Sequence, residues 1–383
     1  MDWSFLIRNK ESINVTTDSR KVVPGCVFVA LKGEHFDGND FVEQARRDGA
    51  EYIISGENAL AELQDLARAW RRELGLPILG ITGTNGKTTT KELCAAVLST
   101  KYKLYYTQGN LNNQLGVPLT LLNITRAHEM AIVEMGASHP GDIKELVEIA
   151  EPNYGLITNV GKAHLQGFGS FEGVMRTKAE LYDFLRAHNG FCFRNTDNPY
   201  LAQMAGDLKT VEYHTGTMPS DTHLVGGYNA ENVSAAICVG RYFGVSKEDA
   251  LAAIRAYIPS NNRSQLMQTE KNTVVVDAYN ANPTSMQAAI NAFKGDCYIL
   301  GAMRELGEYS HLEHQNIVNM LLERKAEKVL LVGEEYKETT APYPVFENVE
   351  ALCQYLQREP LSGYTILLKG SRSNQLEKVI PLL

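Results

Sequence analysis

Ile78-Leu-Gly-Ile81 runs directly into Thr82-Gly-Thr-Asn-Gly-Lys-Thr-Thr-Thr90, and a helical pattern with Leu93, Cys94, Val97 and Leu98 on one face follows. The order is buried strand, glycine loop, helix. A loop in that context turns successive backbone N–H groups toward an anion at a helix N-terminus. Gly83 and Gly86 let the main chain approach phosphates closely. Lys87 supplies positive charge for the β- and γ-phosphates, and the Thr88 hydroxyl is placed to hold Mg²⁺. Thr82, Thr84 and Asn85 complete the cradle. One position departs from the usual spacing: Ile81 stands where a glycine is the rule. A bland Gly/Thr-rich turn with an exposed lysine is the alternative, and it leaves the flanking strand and helix unexplained. The stretch predicts a nucleoside triphosphate site.

Working outward, the chain divides into three blocks. Residues 1–76 hold short strand-like runs (Cys26 to Leu31, Tyr52 to Ile54) and a helical stretch from Ala59 to Leu74. Residues 77–259 alternate apolar strands with helices. Ala131-Ile132-Val133 ends in Glu134, Leu156 to Val160 runs into Gly161 and His164, and 172–187 and 230–243 read as helices. Residues 260–383 repeat the pattern, with strands at Thr273–Val276, Tyr298–Leu300, Val329–Val332 and Thr365–Leu368. Strands alternating with helices imply parallel sheets with ligands at the strands' carboxyl ends. The predicted fold is therefore α/β with three domains: a small N-terminal α/β domain, a central P-loop ATPase-type parallel sheet, and a C-terminal Rossmann-like domain facing the second across a cleft.

Composition narrows the partners. With 383 residues, 44 % hydrophobic and 21 % charged, the chain has an ordinary globular makeup. A net charge of −8 argues against nucleic acid and against an anionic membrane surface. The six cysteines are scattered with no C-x-x-C pair, which points to reduced thiols in the cytoplasm. No stretch is apolar enough to span a bilayer, and the N-terminal residues lack the pattern of a secretory leader. We find no internal repeat and no low-complexity segment.

Several further residues are candidates for chemistry. Glu134, closing a buried strand beside the phosphate loop, is where a Mg²⁺ ligand belongs; capping a surface strand is the other reading. His164 follows a strand in Gly-Lys-Ala-His. A loop histidine is as readily a surface group, and Mg²⁺ prefers oxygen donors. Lys178 lies on an amphipathic helix, where a solvated lysine is the default. A lysine of lowered pKa has a second option: reaction with CO₂ gives a carbamate, an oxygen ligand for a cation. Asn229 and Asn232 open a helix and are either caps or readers of a base edge. Arg263, Asp277 and Lys369-Gly-Ser-Arg372 set charges on one edge of the third block, as closure over a phosphate requires.

Taken together, these segments resemble the Mur ligases, the ATP-dependent enzymes that add amino acids to peptidoglycan precursors. Thr82-Gly-Thr-Asn-Gly-Lys-Thr-Thr89 looks like their ATP loop. Further motifs look like the branch that adds D-alanyl-D-alanine: Gly109-Asn-Leu-Asn-Asn-Gln-Leu-Gly-Val-Pro118, Glu134-Met-Gly-Ala-Ser138, Thr158-Asn-Val-Gly-Lys-Ala-His164, Asp277-Ala-Tyr-Asn-Ala-Asn-Pro-Thr-Ser285, Leu306-Gly307 and Lys369-Gly-Ser-Arg372. Thr17-Asp-Ser-Arg20 and Asp37-Gly38 resemble that branch's UDP-substrate domain. The resemblance runs from about residue 15 to residue 375.

The resemblance implies an ATP- and Mg²⁺-dependent ligase with UDP-MurNAc-tripeptide and D-Ala-D-Ala as substrates. Oligomeric state is not legible in the sequence, and a monomer is the expectation. Ser19, Arg20, Lys32 and Gly33 would lie near the UDP, and Asn112 and Asn113 on the path of the muramoyl-peptide. Thr88, Glu134 and His164 would surround Mg²⁺, with Lys178 carbamylated beside them. Lys87, His164 and Lys178 would serve catalysis, while Asn229, Asn232, Arg263 and Asp277 would hold adenosine and phosphates. The chain departs from the family pattern twice. The stretch between Leu185 and Gly226 is short, and Ala302 in Gly301-Ala-Met-Arg-Glu-Leu-Gly307 stands where the pattern has aspartate. A ligase adding a different amino acid and a non-catalytic nucleotide-binding relative are the competing readings. The diamino acid at the third peptide position is not legible.

Overall fold

The computed structural model describes residues 2–34, 36–219, 221–259 and 262–383, so that Ser260 and Asn261, where the sequence is expected to open the third block, lie outside the described residues. Three sheets organise the chain. The first is parallel, with β1 (Val15–Thr16), β2 (Val27–Val29) and β3 (Tyr52–Ile54) in that order. The second comprises β4 (Ile78–Thr82), β5 (Leu104–Tyr106), β6 (Met130–Glu134), β7 (Tyr154–Ile157), β8 (Phe191–Asn195) and β9 (Thr210–Tyr213). Its strands are all parallel, in the order β5-β6-β4-β7-β8-β9. The third comprises β10 (Gln265–Gln268), β11 (Thr273–Asp277), β12 (Cys297–Gly301), β13 (Lys328–Val332), β14 (Val345–Phe346) and β15 (Thr365–Lys369). It is ordered β10-β11-β15-β12-β13-β14, with β10 antiparallel and the rest parallel.

The central strands are continuous apolar runs because both faces are covered: every residue of β4 and β6 is buried. Strand order reverses around β4, which has β6 on one side and β7 on the other. Ligands in such sheets meet the carboxyl ends of the strands at that reversal. Thr82, Glu134 and Ile157 are those carboxyl ends.

The helix Ala59–Leu74 fixes the first sheet to the second. Its buried face, Leu63, Leu66, Ala67 and Trp70, belongs to one apolar cluster with Ile78, Val133, Leu146 and Val147. The Trp70 indole N–H donates to the Ile124 carbonyl at 2.8 Å. Arg71, buried in the same seam, donates to the carbonyls of Ala150 and Glu151 at 3.1 and 3.0 Å and to Asn153 Oδ1 at 2.9 Å. The helix stops at Gly75, whose φ of 64° is the left-handed terminator that glycine adopts without strain.

The stretch between Leu185 and Gly226, short by the family pattern, forms β8, the helix Pro199–Ala205 and β9, which extend the central sheet. Ala302 is fully buried in the third sheet's core, its carbonyl accepting the Ser371 hydroxyl at 3.0 Å, and it does not line the cleft described below. Among the described residues, no helix is long and apolar enough to cross a membrane.

Candidate functional site

A cleft of about 800 Å³ opens between the carboxyl ends of the second sheet and the β11 and β15 ends of the third. Its floor is the loop Thr84–Thr89, leading into the helix Lys87–Leu98. Gly83 has φ 140°, and a Cβ there would lie 2.0 Å from Thr158 Oγ1. Gly86 has φ 79°, and a Cβ there would lie 2.5 Å from Asn232 Oδ1. The glycines are thus demanded by the loop's own packing on the segment that follows β7 and on the helix Asn229–Tyr242. The Lys87 ammonium donates to the carbonyls of Gly83 and Thr84 at 2.8 and 3.1 Å. Enclosure lowers its pKa to about 8; Glu134 opposes that shift and Arg263 adds to it.

Behind the loop stands Glu134. Its Oε1 accepts from the Thr88 hydroxyl at 3.1 Å and from Asn112 Nδ2 at 2.9 Å. Its Oε2 is buried without a hydrogen-bond partner. The Lys91 ammonium, fully buried, lies 3.9 Å from Oε2 and donates to the Thr107 carbonyl at 2.6 Å. A carboxylate oxygen without a hydrogen bond, beside a hydroxyl, suits a hard cation that takes few protein ligands and completes its shell with phosphates and water.

His164 lines the same cleft and contacts the Glu305 carboxylate through Nδ1, across the gap to the third sheet. Burial lowers its pKa, with Glu305 pulling the other way. Both residues have positive φ, 48° and 60°, a conformation that costs non-glycine residues about 1–3 kcal/mol and persists where surroundings impose it. Lys178, expected by default in solvent, is 2 % exposed on the helix Phe171–Ala187. Its ammonium sits 5.5 Å from the centre of the Phe168 ring. Burial, with repulsion from Lys87, holds its pKa well below the usual lysine range.

The adenosine-side candidates are also gathered here. Asn229 and Asn232 line the cleft, but their amides are engaged: Asn229 Nδ2 donates to the Val225 carbonyl at 2.8 Å, and Asn232 Nδ2 to Asn229 Oδ1 at 2.9 Å. Asn232 Oδ1 accepts from Thr90 at 2.9 Å, which ties that helix to the loop helix. Neither amide makes a side-chain cap bond at the helix start. The Arg263 guanidinium stacks 3.8 Å from the centre of the Tyr279 ring, and its Nε is buried without a partner. Asp277 accepts from the buried Lys369 ammonium at 2.6 Å.

Of the sequence candidates, Thr84 to Thr88, Asn112, Asn113, Glu134, His164, Asn229, Asn232, Arg263 and Asp277 all line the cleft. Thr82 and Gly83 lie beneath it, the Thr82 hydroxyl donating to the Met135 carbonyl at 2.8 Å. Lys178 does not line it. Asn113 is a turn residue, its Oδ1 accepting from Gly116 N at 2.9 Å. Ser19, Arg20, Lys32 and Gly33 lie elsewhere, around the first sheet. There Ser19 opens a short 3₁₀ turn, Arg20 forks onto Asp18 with two 2.8 Å bonds, Lys32 lies 3.8 Å from Asp37, and Gly33 N donates to the Phe36 carbonyl at 2.9 Å. Sequence reasoning missed Lys91, Tyr228, Tyr279, Asn282 and Glu305. The helical spacing of Lys91 with Cys94 and Leu98 was the available signal for the first.

Comparison with known proteins accords with this geometry. Residues 13–96 match the Mur ligase family catalytic domain, 81–215 the Mur ligase middle domain, and 262–372 the Mur ligase glutamate ligase domain. UDP-N-acetylmuramoyl-tripeptide–D-alanyl-D-alanine ligase of Bacillus subtilis (strain 168) is 33 % identical over 423 aligned positions, covering 96 % of this chain and 92 % of that one. The chain belongs to the Mur ligase family. The Escherichia coli (strain K12) ligase of the same name is 32 % identical, covering 96 % of this Mur ligase and 93 % of that protein. Both alignments are longer than the 383 residues of this Mur ligase, so the relatives carry inserted residues. Among solved structures, MurF ligase from Thermotoga maritima in complex with ADP superposes with a TM-score of 0.86 at 28 % identity, covering 98 % of each chain. MurF from Acinetobacter baumannii gives 0.85 at 28 % identity, covering 96 % of this chain and 92 % of that one.

Proposed function

We propose that this Mur ligase joins D-Ala-D-Ala to the free peptide carboxylate of UDP-MurNAc-tripeptide, consuming ATP and giving the UDP-linked pentapeptide for peptidoglycan. The observation that carries the reading is the near full-length match to ligases bearing that name. In support, the cleft joins a phosphate loop to charged residues of a second α/β sheet. The reading makes the chain a cytoplasmic monomer acting on small molecules.

Two steps follow. The substrate carboxylate attacks the γ-phosphorus of ATP, the bond to the β-phosphate oxygen breaks, and ADP leaves. The D-Ala-D-Ala amine then attacks the acyl phosphate carbon, and the tetrahedral adduct expels phosphate as the amine loses its proton. Two anions must meet in the first step, so the loop N–H groups and the Lys87 ammonium lower the repulsion. Thr88 and Glu134, with His164 at the rim, would hold Mg²⁺, which supplies charge neutralisation on the phosphates. Lys178 would serve that site as a carbamate. Its low proton affinity keeps a fraction of the amine neutral, the form that reacts with CO₂. Arg263 and Asp277 would address the nucleotide from the third sheet, which shields the acyl phosphate from water. Asn229 and Asn232 would support it from below, Asn112 would meet the peptide, and Ser19, Arg20, Lys32 and Gly33 would meet the UDP.

Phosphate release by the purified protein, with ATP, Mg²⁺, UDP-MurNAc-tripeptide and D-Ala-D-Ala omitted one at a time, tests the proposal. Release that needs all four, with the pentapeptide seen by mass, is expected. Release with another amino acid in place of the dipeptide, or tight ATP binding with no release, would overturn it.

A further inference from the structure

Among the described residues, the unit built on the third sheet hydrogen-bonds to the phosphate loop itself through the side chain of Asn282. This residue caps the helix Pro283–Ala292: its Oδ1 accepts from Ser285 N at 2.9 Å, and its own N–H donates to the Ser285 hydroxyl at 3.1 Å. The cap settles which way the amide points. With Oδ1 committed to Ser285, Nδ2 must face outward, and it donates to Asn85 Oδ1 at 2.7 Å. The return contact, Asn85 Nδ2 to Asn282 Oδ1, is longer at 3.4 Å.

Asn85 is itself held rigidly. Its N–H donates to Asn159 Oδ1 at 3.0 Å, and its carbonyl accepts from the Thr158 hydroxyl at 2.6 Å and from Asn159 Nδ2 at 3.2 Å. Its main chain is therefore fixed, and the direction in which its side chain leaves the loop depends on the conformation of the loop. The next residues of the capped helix dock alongside. Thr284 Oγ1 accepts from Lys162 N at 3.1 Å, and a Cβ on Gly161 would come within 2.8 Å of it. Further out, Lys162 Nζ pairs with the buried Glu313 at 2.9 Å. Those contacts hold the segment after β7. Among the described residues, the Asn85–Asn282 pair is the direct hydrogen-bonded link between the loop and the third sheet.

We propose that Asn282 is a positioning residue that couples the loop to docking of the third domain, so that the closed arrangement is favoured when Asn85 is held as the loop holds it here. The proposal rests on the reading of the cleft as an ATP site. Domain docking is a different observable from ligation, so the two fail separately.

Two substitutions separate the cap from the link. Asn282→Ser retains a cap of similar quality but is too short to reach Asn85. Asn282→Asp retains the cap with one oxygen and offers the other to the Asn85 amide, which rotates to donate. Small-angle scattering of the full chain with a non-hydrolysable ATP analogue reads docking. Steady-state kinetics read kcat and the KM for ATP, and thermal melting reports the cap. Loss of one neutral hydrogen bond corresponds to about a fivefold shift in the docked-to-open ratio. For Asn282→Ser we expect a more extended scattering profile, kcat lower by about fivefold and KM for ATP within about twofold, at an unchanged melting temperature. Asn282→Asp should restore both profile and rate. A wild-type profile and rate in Asn282→Ser would overturn the proposal, as would losses in both variants that follow their melting temperatures. Absence of ligation in the unaltered chain would sink the proposed function while leaving the scattering comparison decisive for the link.

Discussion

Replacing Gly83 by alanine tests whether the loop is shaped by packing beneath it. The new methyl would sit 2.0 Å from Thr158 Oγ1, 3.0 Å from Thr158 N and 3.2 Å from Asn159 N, at a backbone φ of 140°. Two of those three atoms are main chain just after β7 and cannot rotate away. The third is on a β-branched side chain with few rotamers, committed to the Asn85 carbonyl at 2.6 Å. Overpacking of this kind costs about 1–3 kcal/mol, and a non-glycine residue in that backbone region adds about 1–3 kcal/mol. A destabilisation of about 4 kcal/mol follows, which lowers the melting temperature on the order of 10 °C. Denaturant unfolding and calorimetry measure it. Thr158→Ala removes the closest obstacle, so in a double-mutant cycle the two substitutions should couple by about 1–2 kcal/mol in the relieving direction. Gly83→Ala also pushes against the segment that fixes Asn85, so nucleotide affinity should fall with stability. A Gly83→Ala protein within about 1 kcal/mol of the parent, or a cycle with no coupling, would refute the packing argument.

Lys87→Ala should abolish ADP and phosphate formation while leaving the circular dichroism spectrum and melting temperature near those of the parent; retained turnover would remove Lys87 from the mechanism. Because burial holds Lys87 at about 8 rather than 10.5, polyphosphate binding should pull the group back up and take up protons between those values. ADP affinity should accordingly weaken as pH rises through about 8, and calorimetry in two buffers of different ionisation heat should show uptake rather than release. Trp70→Phe leaves the Ile124 carbonyl unpaired in the seam between the first two sheets, at a cost of about 1–3 kcal/mol read by denaturant unfolding. Arg263→Lys gives up the planar stack on Tyr279, so ADP binding should weaken several-fold with little change in stability.

What could be read from the chain followed from the range of the interactions. The loop was legible because strand, glycines, lysine and helix are contiguous, and Ala59–Leu74 was legible because its apolar stripe is regular and Gly75 ends it. The strand expected to run to Val160 instead stops at Ile157, because Thr158 and Asn159 turn their side chains onto Asn85. The antiparallel edge strand β10 escaped notice because only Leu266 and Met267 mark it and both its ends are polar. Cross-cleft pairs such as Asn85–Asn282 and Lys162–Glu313 join residues 197 and 151 positions apart. No periodicity within either segment announces contacts of that range.

Lys178 and Lys91 are the instructive cases. Lys178 shares its helix face with Val174, Leu181 and Leu185, and Lys91 shares its face with Cys94, Ala95 and Leu98. A charge in the middle of an apolar stripe is costly to bury, so it persists only where something nearby recovers the cost. For Lys91 the compensation is visible: the Thr107 carbonyl at 2.6 Å, Glu92 at 2.9 Å and Glu134 at 3.9 Å. For Lys178 no hydrogen-bond or ion-pair partner exists among the described residues; the Phe168 ring lies 5.5 Å away, and the more distant Asp142 and Glu180 only partly offset burial and the repulsion of Lys87. The proposed carbamate, formed from the neutral amine, would replace that poorly compensated ammonium by an anion able to pair with a cation, which removes the anomaly. Lys178→Met, close in volume and uncharged, should therefore hold or raise the melting temperature while ligation falls steeply. A variant that loses stability and activity together would mean that the ammonium itself, and not its modified form, is what this stripe accommodates.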